Sequence, residues 1–370
     1  MNRHAWLRSL ARLHWPSVAA MAALMVIGVA FVYSAGYRGE ELPPAPFYRR
    51  QIVWCLIGLA AFLVAALYDY RRLGAQAMGL YMAALLLLTL VLVFGVRAYG
   101  ARRWLEIFGQ RVQPSEGAKL AAILVLARYL SRPHVRPAAL STLGVTALIV
   151  GIPFVLIAAE PDLGSALALV PPAAVLLLLA GVPWRTLGLL MLGGLIALPL
   201  GWLVLSPYQR DRLIVFLDPG RDPLGAGWNS VQSAIAVGSG GPWGKGYLRG
   251  TQNVLGFLPR TVAPTDFIFS VIAEEKGFAG SAVLLGLYGV VIAGGLLAAA
   301  RARDKFGQLW AAGLTALLFF HVFTNIAMTI GLMPVTGLPL PFVSYGGSFM
   351  AAAALAAGSL QSVYIRRPPR

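Results

Sequence analysis

Residues 265–301 read TDFIFSVIAEEKGFAGSAVLLGLYGVVIAGGLLAAAR. From Ser281 to Ala300 the stretch carries no charge, and it stops at Arg301. About 20 apolar residues are what a helix needs to cross a hydrocarbon core of about 30 Å, so this part is a membrane span. What precedes it differs in kind. Residues 267–273 are apolar but too short to cross, and they sit between Asp266 and the acidic pair Glu274 and Glu275. A continuous helix over 266–300 would run about 52 Å at 1.5 Å per residue, too long for one span without strong tilt, and Gly277 is the natural break. The expectation is that Glu274, Glu275 and Lys276 lie at the membrane interface with Asp266 at headgroup level. Residues 267–273 then lie in one leaflet or pack beneath a neighbouring loop.

Working outward, the whole chain has the same character. Of 370 residues 58% are hydrophobic and 12% charged, and the mean hydropathy is +0.74, outside the range of a soluble domain. Windows long enough to span fall at roughly 15–35, 51–69, 76–96, 115–131, 138–158, 163–180, 184–205, 278–300, 307–331 and 344–365. The fold expected is an all-α polytopic membrane protein of about ten transmembrane helices, one domain over 1–370. The first window is too long for a cleaved signal and reads as an anchor. The single cysteine, Cys55, rules out a disulfide framework and a multi-cysteine metal site. The net charge of +16 is scattered between spans and does not line one element, so it argues for topology and against nucleic acid.

Orientation follows from the short loops. With the N-terminus inside, Arg3, Arg8, Arg12, Arg71, Arg72, Arg128, Arg132, Arg136, Arg185, Arg301, Arg303, Lys305, Arg366, Arg367 and Arg370 are inner, fifteen in all. Arg38, Arg49, Arg50, Arg97, Arg102, Arg103 and Arg111 are outer, seven in all. Both termini are therefore expected in the cytoplasm. Of the fourteen carboxylates only Asp69 and Asp304 fall on the inner side, which places polar chemistry on the outer face. Of the four histidines, His4, His14 and His134 are on the inner side and His321 lies within the ninth span, so no histidine base is expected outside.

One large extramembrane segment, 206–265, joins the seventh and eighth spans. It lacks a long apolar run and is expected to fold over the outer helix ends as short helices and turns. Several motifs have two readings. Asp266 is either a helix N-cap, for which Asp is well suited, or a general base facing lipid headgroups, with Glu116, Glu160, Asp162 and Asp211 as competing acids. In QPSEGAKL, Glu116 and Lys119 are three residues apart on one helix face. They either neutralise each other inside the fourth span or line a polar cavity, the default reading of ionisable residues at membrane depth. Arg102, Arg103 and Trp104 suit either bilayer phosphates and the interfacial belt or the diphosphate of one lipid. GSGGPWGKG (238–246) reads as a turn or as a phosphate nest with Lys245. Its spacing is not that of a Walker A loop, so no nucleotide is expected. The proline- and glycine-rich stretch at 331–348 suits irregular backbone lining a cavity.

Together these stretches resemble the SEDS family, the RodA, FtsW and SpoVE proteins that polymerise peptidoglycan. The blocks that carry the resemblance are RRWLEI, QPSEGAKL, EPDLGSAL, YQRDRLIVFLDP, VQSAIAVGSGG, LGFLP, TDFIFSVIAEEKGF and MPVTGLPLPFVSYGGS, in family order from 102 to 348. GKGYLRGTQN followed by FLP is closer to the RodA branch, of cell elongation. Four positions depart from the family pattern: a longer gap between Pro259 and Asp266, Pro264 before Thr-Asp, Ser165 for threonine, and Phe349 after GGS.

The resemblance implies a ten-helix glycosyltransferase of the bacterial cytoplasmic membrane, with its site on the extracytoplasmic face. It implies lipid II and a lipid-linked glycan strand as substrates and a class B penicillin-binding protein as partner, and it places the catalytic aspartate on Asp266. The family's important tryptophan and charged pair fall on Trp104 and on Glu116 with Lys119. Making a β-1,4 bond from an α-linked glycosyl diphosphate is an inverting displacement, for which one base suffices. The departing diphosphate needs positive charge, expected from Arg103, Arg210, Arg212, Lys245 or a Mg²⁺ ion. Two other readings compete: a lipid II flippase, which would distribute charges across the membrane depth, and a scaffold for the penicillin-binding protein, which would need no outer carboxylate.

Overall fold

The computed structural model describes residues 10–39, 45–98, 101–107, 109–223 and 225–368; Arg3, His4, Arg8 and Arg370, used above for orientation, lie outside them. The chain is a multi-pass helical bundle. Its helices are α1 (Trp15–Gly36), α2 (Phe47–Leu67), α3 (Ala77–Phe94), α4 (Pro114–Leu130), α5 (Leu140–Ala159), α6 (Val170–Ala180, preceded by a turn at Leu163–Leu167) and α7 (Trp184–Val204). After these come α8 (Pro207–Leu217), α9 (Ala226–Ser239), α10 (Ile268–Ala300), α11 (Lys305–Thr329) and α12 (Gly347–Ile365). Among the described residues eight helical segments are long and apolar enough to cross a membrane, and α4 and the apolar start of α7 occupy the other two expected windows.

Burial sorts the spans into inner and outer. In α12 and α11, 83% and 72% of the apolar window is covered by protein, against 22% in α2 and in α5. Small residues explain the inner position of α12: Gly58 of α2 faces Met350 and Ala354, and Gly358 lies against the backbone of Phe62, a close approach that larger side chains would block. Outer helices present Leu56, Val64, Leu148, Val155, Leu189 and Met191 outward, the surface a bilayer would cover.

The two ends of the bundle differ. At the end carrying both termini, His14 N–H donates to Gln361 Oε1 (2.9 Å), Arg71 pairs with Asp304 (3.0 Å) and Arg366 with Asp69 (3.6 Å). The two carboxylates expected on this side are thus both matched by arginine. The opposite end carries 206–265, which contains α8, α9, a turn of helix at Thr251–Val254 and connecting turns. It also carries an element the helical reading missed, a three-stranded antiparallel sheet of β1 (Val96–Ala98), β2 (Ala101–Ile107) and β3 (Gln110–Val112). Cross-strand partners include Val96 with Trp104, and Glu106 with Arg111. Two of these strands have only three residues, too short for a periodicity to show.

The break expected in α10 is present at Gly277, whose φ of 65° and ψ of −160° are non-helical. A break frees backbone donors and acceptors that need partners, and the loop at 240–246 supplies them. Phe278 N–H donates to Gly241 O (2.8 Å) and Ala279 N–H to Pro242 O (3.0 Å), while Lys245 N–H and Gly246 N–H donate to Glu274 O and Glu275 O (3.0 Å each). The glycine-rich loop is therefore a splice for the broken helix. Of the two placements expected for 267–273, the structure shows packing beneath the 206–265 segment; Glu274 and Glu275 are fully buried there, while Lys276 is exposed. Glu274 Oε1 accepts from Lys245 Nζ (2.7 Å), Thr251 Oγ1 (3.0 Å) and Gln252 N–H (3.0 Å), and Glu275 Oε1 from Ser34 Oγ (2.5 Å).

Candidate functional site

A cavity of about 880 Å³ opens at the sheet-bearing end, walled by the sheet, α8, the turns before α10 and the 331–348 segment. Asp266 is in its wall. The long connection from Pro259 closes as successive turns: Val262 and Ala263 N–H donate to Pro259 O (3.1 and 3.0 Å), and Asp266 N–H donates to Val262 O (2.9 Å). The extra residues and Pro264 are absorbed there, with Pro264 O accepting from Tyr345 N–H (2.8 Å). Asn325 of α11, wholly buried, donates through Nδ2 to Asp266 O (3.0 Å) and to Leu338 O (2.8 Å). The backbone of Asp266 is thus fixed on both sides. The N-cap of α10 is Phe267, with no side-chain cap, so the capping explanation of Asp266 falls away.

Its carboxyl faces the cavity beside two arginines. Burial holds the Asp266 carboxyl above the usual aspartate range, opposed by the charges of Arg212 and then Arg103. Gly337, with φ of +74°, presents bare backbone to this pair: a Cβ there would lie 3.6 Å from Arg212 Nη1 and 3.9 Å from Asp266 Oδ2.

Arg103 comes from β2. It pairs with Asp162 (3.8 Å) and donates to the carbonyls of Glu160 (3.4 Å) and Pro161. Asp162 caps the turn at Leu163–Leu167 through Ser165 N–H (3.2 Å) and accepts from Gln113 Nε2 (3.0 Å). Gln113 N–H in turn reaches Ser348 Oγ (3.1 Å). The sheet, α4, α6 and α12 are therefore joined through one acid. Glu160 lies behind this wall, wholly buried, with neither carboxyl oxygen hydrogen-bonded among the described residues, and burial pushes it up to about 9.

Trp104 and Glu116 also line the cavity. Lys119 lies deeper, fully buried, with Nζ 3.0 Å from Glu116 Oε1 and 3.2 Å from His321 Nε2. His321, whose ring packs against Phe349 at 4.9 Å, completes a group that sequence could not assemble, since it lies 202 positions away on another helix.

The structure does not bring two expected cations into the cavity wall. On α8, positions 208, 211, 212 and 215 face it; Arg210 lies on another face of the helix, donating to Leu203 O (2.9 Å) with its guanidinium over Trp202. Lys245 is held by Glu274, and the N–H groups of its loop are bonded to the broken helix, so the nest reading has no free donors at 244–246. Two residues not singled out before are Tyr208, whose ring lies against both Arg212 and Arg103, and Gly337. Their signal was inside quoted motifs but lacked charge.

The chain matches a family model described as cell cycle protein, FTSW_RODA_SPOVE, over residues 13–367. It is 40% identical over 348 residues to the peptidoglycan glycosyltransferase MrdB of Escherichia coli (strain K12), covering 94% of this chain and 92% of that one. With the peptidoglycan glycosyltransferase RodA of Treponema pallidum (strain Nichols) it shares 34% identity, covering 94% and 96%. Among solved structures, a chain of a peptidoglycan synthase complex that coordinates polymerization and crosslinking superposes with a TM-score of 0.79 at 34% identity, covering 95% and 97%. The rod shape determining protein RodA of Thermus thermophilus superposes with a TM-score of 0.72 at 31% identity, covering 97% and 98%.

Proposed function

The chain belongs to the FtsW, RodA and SpoVE family of cell cycle proteins and is a peptidoglycan glycosyltransferase, and from that premise we propose that it polymerises lipid II by an inverting displacement with Asp266 as the base. The observation that carries this reading is the placement of the Asp266 carboxyl in the cavity wall beside Arg212 and Arg103, with its backbone carbonyl held by Asn325.

In the proposed step the acceptor 4-hydroxyl of one lipid-linked sugar attacks C1 of another. The new O–C1 bond forms as the C1–O bond to diphosphate breaks, and the electron pair leaves on the diphosphate oxygen. Asp266 takes the hydroxyl proton; its raised proton affinity makes it a better base than an ordinary aspartate. The leaving group needs charge, not a proton, and Arg212 and Arg103 supply it. Trp104 and Glu116 line the same chamber, and Lys119 fixes Glu116 from below, a positioning role. Arg210 and Lys245 act on the fold around the site.

Among the described residues no group of three or more acidic, His or Cys side chains is gathered to cage a metal. A Mg²⁺ ion enters the proposal only as a companion of the diphosphate, since such ions need one or two carboxylates plus phosphate oxygens. Asp266 and Asp162, both in the cavity wall, would hold it, and the ion would add positive charge to the leaving group. No step depends on it.

The cavity is placed on the extracytoplasmic side by the positive-inside count, with both termini in the cytoplasm. The partner is a class B penicillin-binding protein, and the role is in cell elongation; the peptidoglycan synthase complex among the structural relatives supports a partner of that kind. The 206–265 segment and the spans form one domain, since its turns complete α10. The test is polymerisation by the purified protein and partner in detergent, with labelled lipid II and no bilayer. Glycan chains are expected; a flippase or a scaffold would make none.

A further inference from the structure

Two of the arginines that line the cavity, Arg103 of β2 and Arg212 of α8, lie against one side chain, Tyr208. Tyr208 lies in the first turn of α8, four residues before Arg212 and so on the same helix face. The start of that helix is fixed: Ser206 N–H donates to Gln209 Oε1 (3.0 Å), and Gln209 Nε2 donates to Ala158 O at the end of α5 (3.2 Å). The Tyr208 ring carries the Arg212 guanidinium at 4.7 Å from its centroid and that of Arg103 at 5.9 Å, both within cation–π range. Arg212 donates through Nη1 to Val335 O (3.0 Å) and through Nη2 to the Tyr208 hydroxyl.

The hydroxyl's role follows from its remaining hydrogen. A phenol that accepts from a guanidinium still has one O–H to donate, and among the described residues it meets no acceptor, while the side chain lines the cavity. Accepting a charged hydrogen bond polarises the O–H and strengthens it as a donor. A ligand atom that answers all three groups is an oxygen carrying negative charge, reached by two guanidinium groups and one hydroxyl. We propose that Tyr208 is a substrate-contacting donor, whose Arg212-held hydroxyl hydrogen-bonds a phosphoryl oxygen of the lipid diphosphate as C1–O cleavage places charge there. This rests on the reading of the cavity as the diphosphate site. The phenol gives a hydrogen bond and keeps its proton; the only proton transferred in the step goes from the acceptor hydroxyl to Asp266.

The variants are Tyr208→Phe, which keeps the ring under both guanidinium groups and removes only the hydroxyl, and Tyr208→Leu, which removes both. Each is purified full length with its partner, checked for an unchanged melting temperature, and measured for kcat, for KM with lipid II, and for direct binding of undecaprenyl diphosphate. Tyr208→Phe is expected to lose about 100- to 1,000-fold in kcat, the range for a donor aimed at developing charge, with KM changed less than about twofold as for a transition-state contact. Its affinity for undecaprenyl diphosphate should fall by about tenfold, as for a hydrogen bond to a charged group, and Tyr208→Leu should lose more on each count. Tyr208→Phe with wild-type kcat and wild-type diphosphate binding overturns the proposal and leaves only the ring's packing role. Asp266→Ala is run alongside. It should bind undecaprenyl diphosphate normally, so the binding result stands even where Asp266 fails as the base.

Discussion

Gly277→Ala is the most informative change away from the cavity. At φ 65° and ψ −160° the residue occupies a region open essentially to glycine alone, which costs another residue on the order of 1–3 kcal/mol. Sterics add to this, since a Cβ would fall within the van der Waals envelope of Gly244 N and only 2.6 Å from Gly241 O and 2.8 Å from Pro242 C. These are backbone atoms of the splice loop and cannot turn aside as a side chain could. The loop must move as a unit, with loss of the four hydrogen bonds that join Gly241, Pro242, Lys245 and Gly246 to α10, each contributing about 1 kcal/mol. Strain and lost bonds together put the cost at roughly 5 kcal/mol or more, at the extreme of single substitutions. The assay is hydrogen exchange at 241–246 and 274–279, read with melting temperature and polymerisation rate. Faster exchange across both segments is expected, with activity reduced although the site of change is eleven positions from Asp266. Unchanged protection in a variant that melts like wild type would refute the splice.

Arg212→Ala removes the largest charge opposing the raised proton affinity of Asp266, so the acid limb of kcat/KM should move to higher pH; an unmoved or lowered limb contradicts the assignment. Glu160, pushed up to about 9, keeps a proton when folded that the unfolded chain loses above about 4.3. Its stabilising contribution is present at low pH and is lost as pH rises toward 9. Glu160→Gln should therefore flatten the fall in melting temperature between about pH 6 and pH 9, and an identical slope in both proteins would count against it. Lys119→Met leaves Glu116 buried without its cation and should cost about 3–5 kcal/mol. The pair Lys119→Met with Glu116→Gln should recover much of this by coupling of at least about 0.5 kcal/mol, while simple additivity would show that the two do not interact.

The spans were legible because hydrocarbon imposes a length and an apolarity that no other environment requires of so many windows, and Gly277 was legible because residues 266–300 are too long for one crossing. Asp266 could be placed at one end of the bundle for the same reason. Its separation from an N-cap could not, since that depends on the turn from Pro259 and on Asn325, a residue 59 positions away. Arg210 and Lys245 were misleading in the same manner: a positive charge near a glycine-rich or basic motif has no direction until helix phase and partners are fixed. For Arg210 the phase of α8 turns it to Leu203, and for Lys245 a buried glutamate already claims it. The strands at 96–112 escaped because their ladder is built from alternation over very few residues, next to arginines that read equally well as a loop.

The most direct test of the base is Asp266→Asn, close in shape but with negligible proton affinity. Purified with its partner and supplied with labelled lipid II in detergent, the variant should melt like wild type, bind undecaprenyl diphosphate, and form no glycan. Glycan made by folded Asp266→Asn at the wild-type rate would contradict the mechanism.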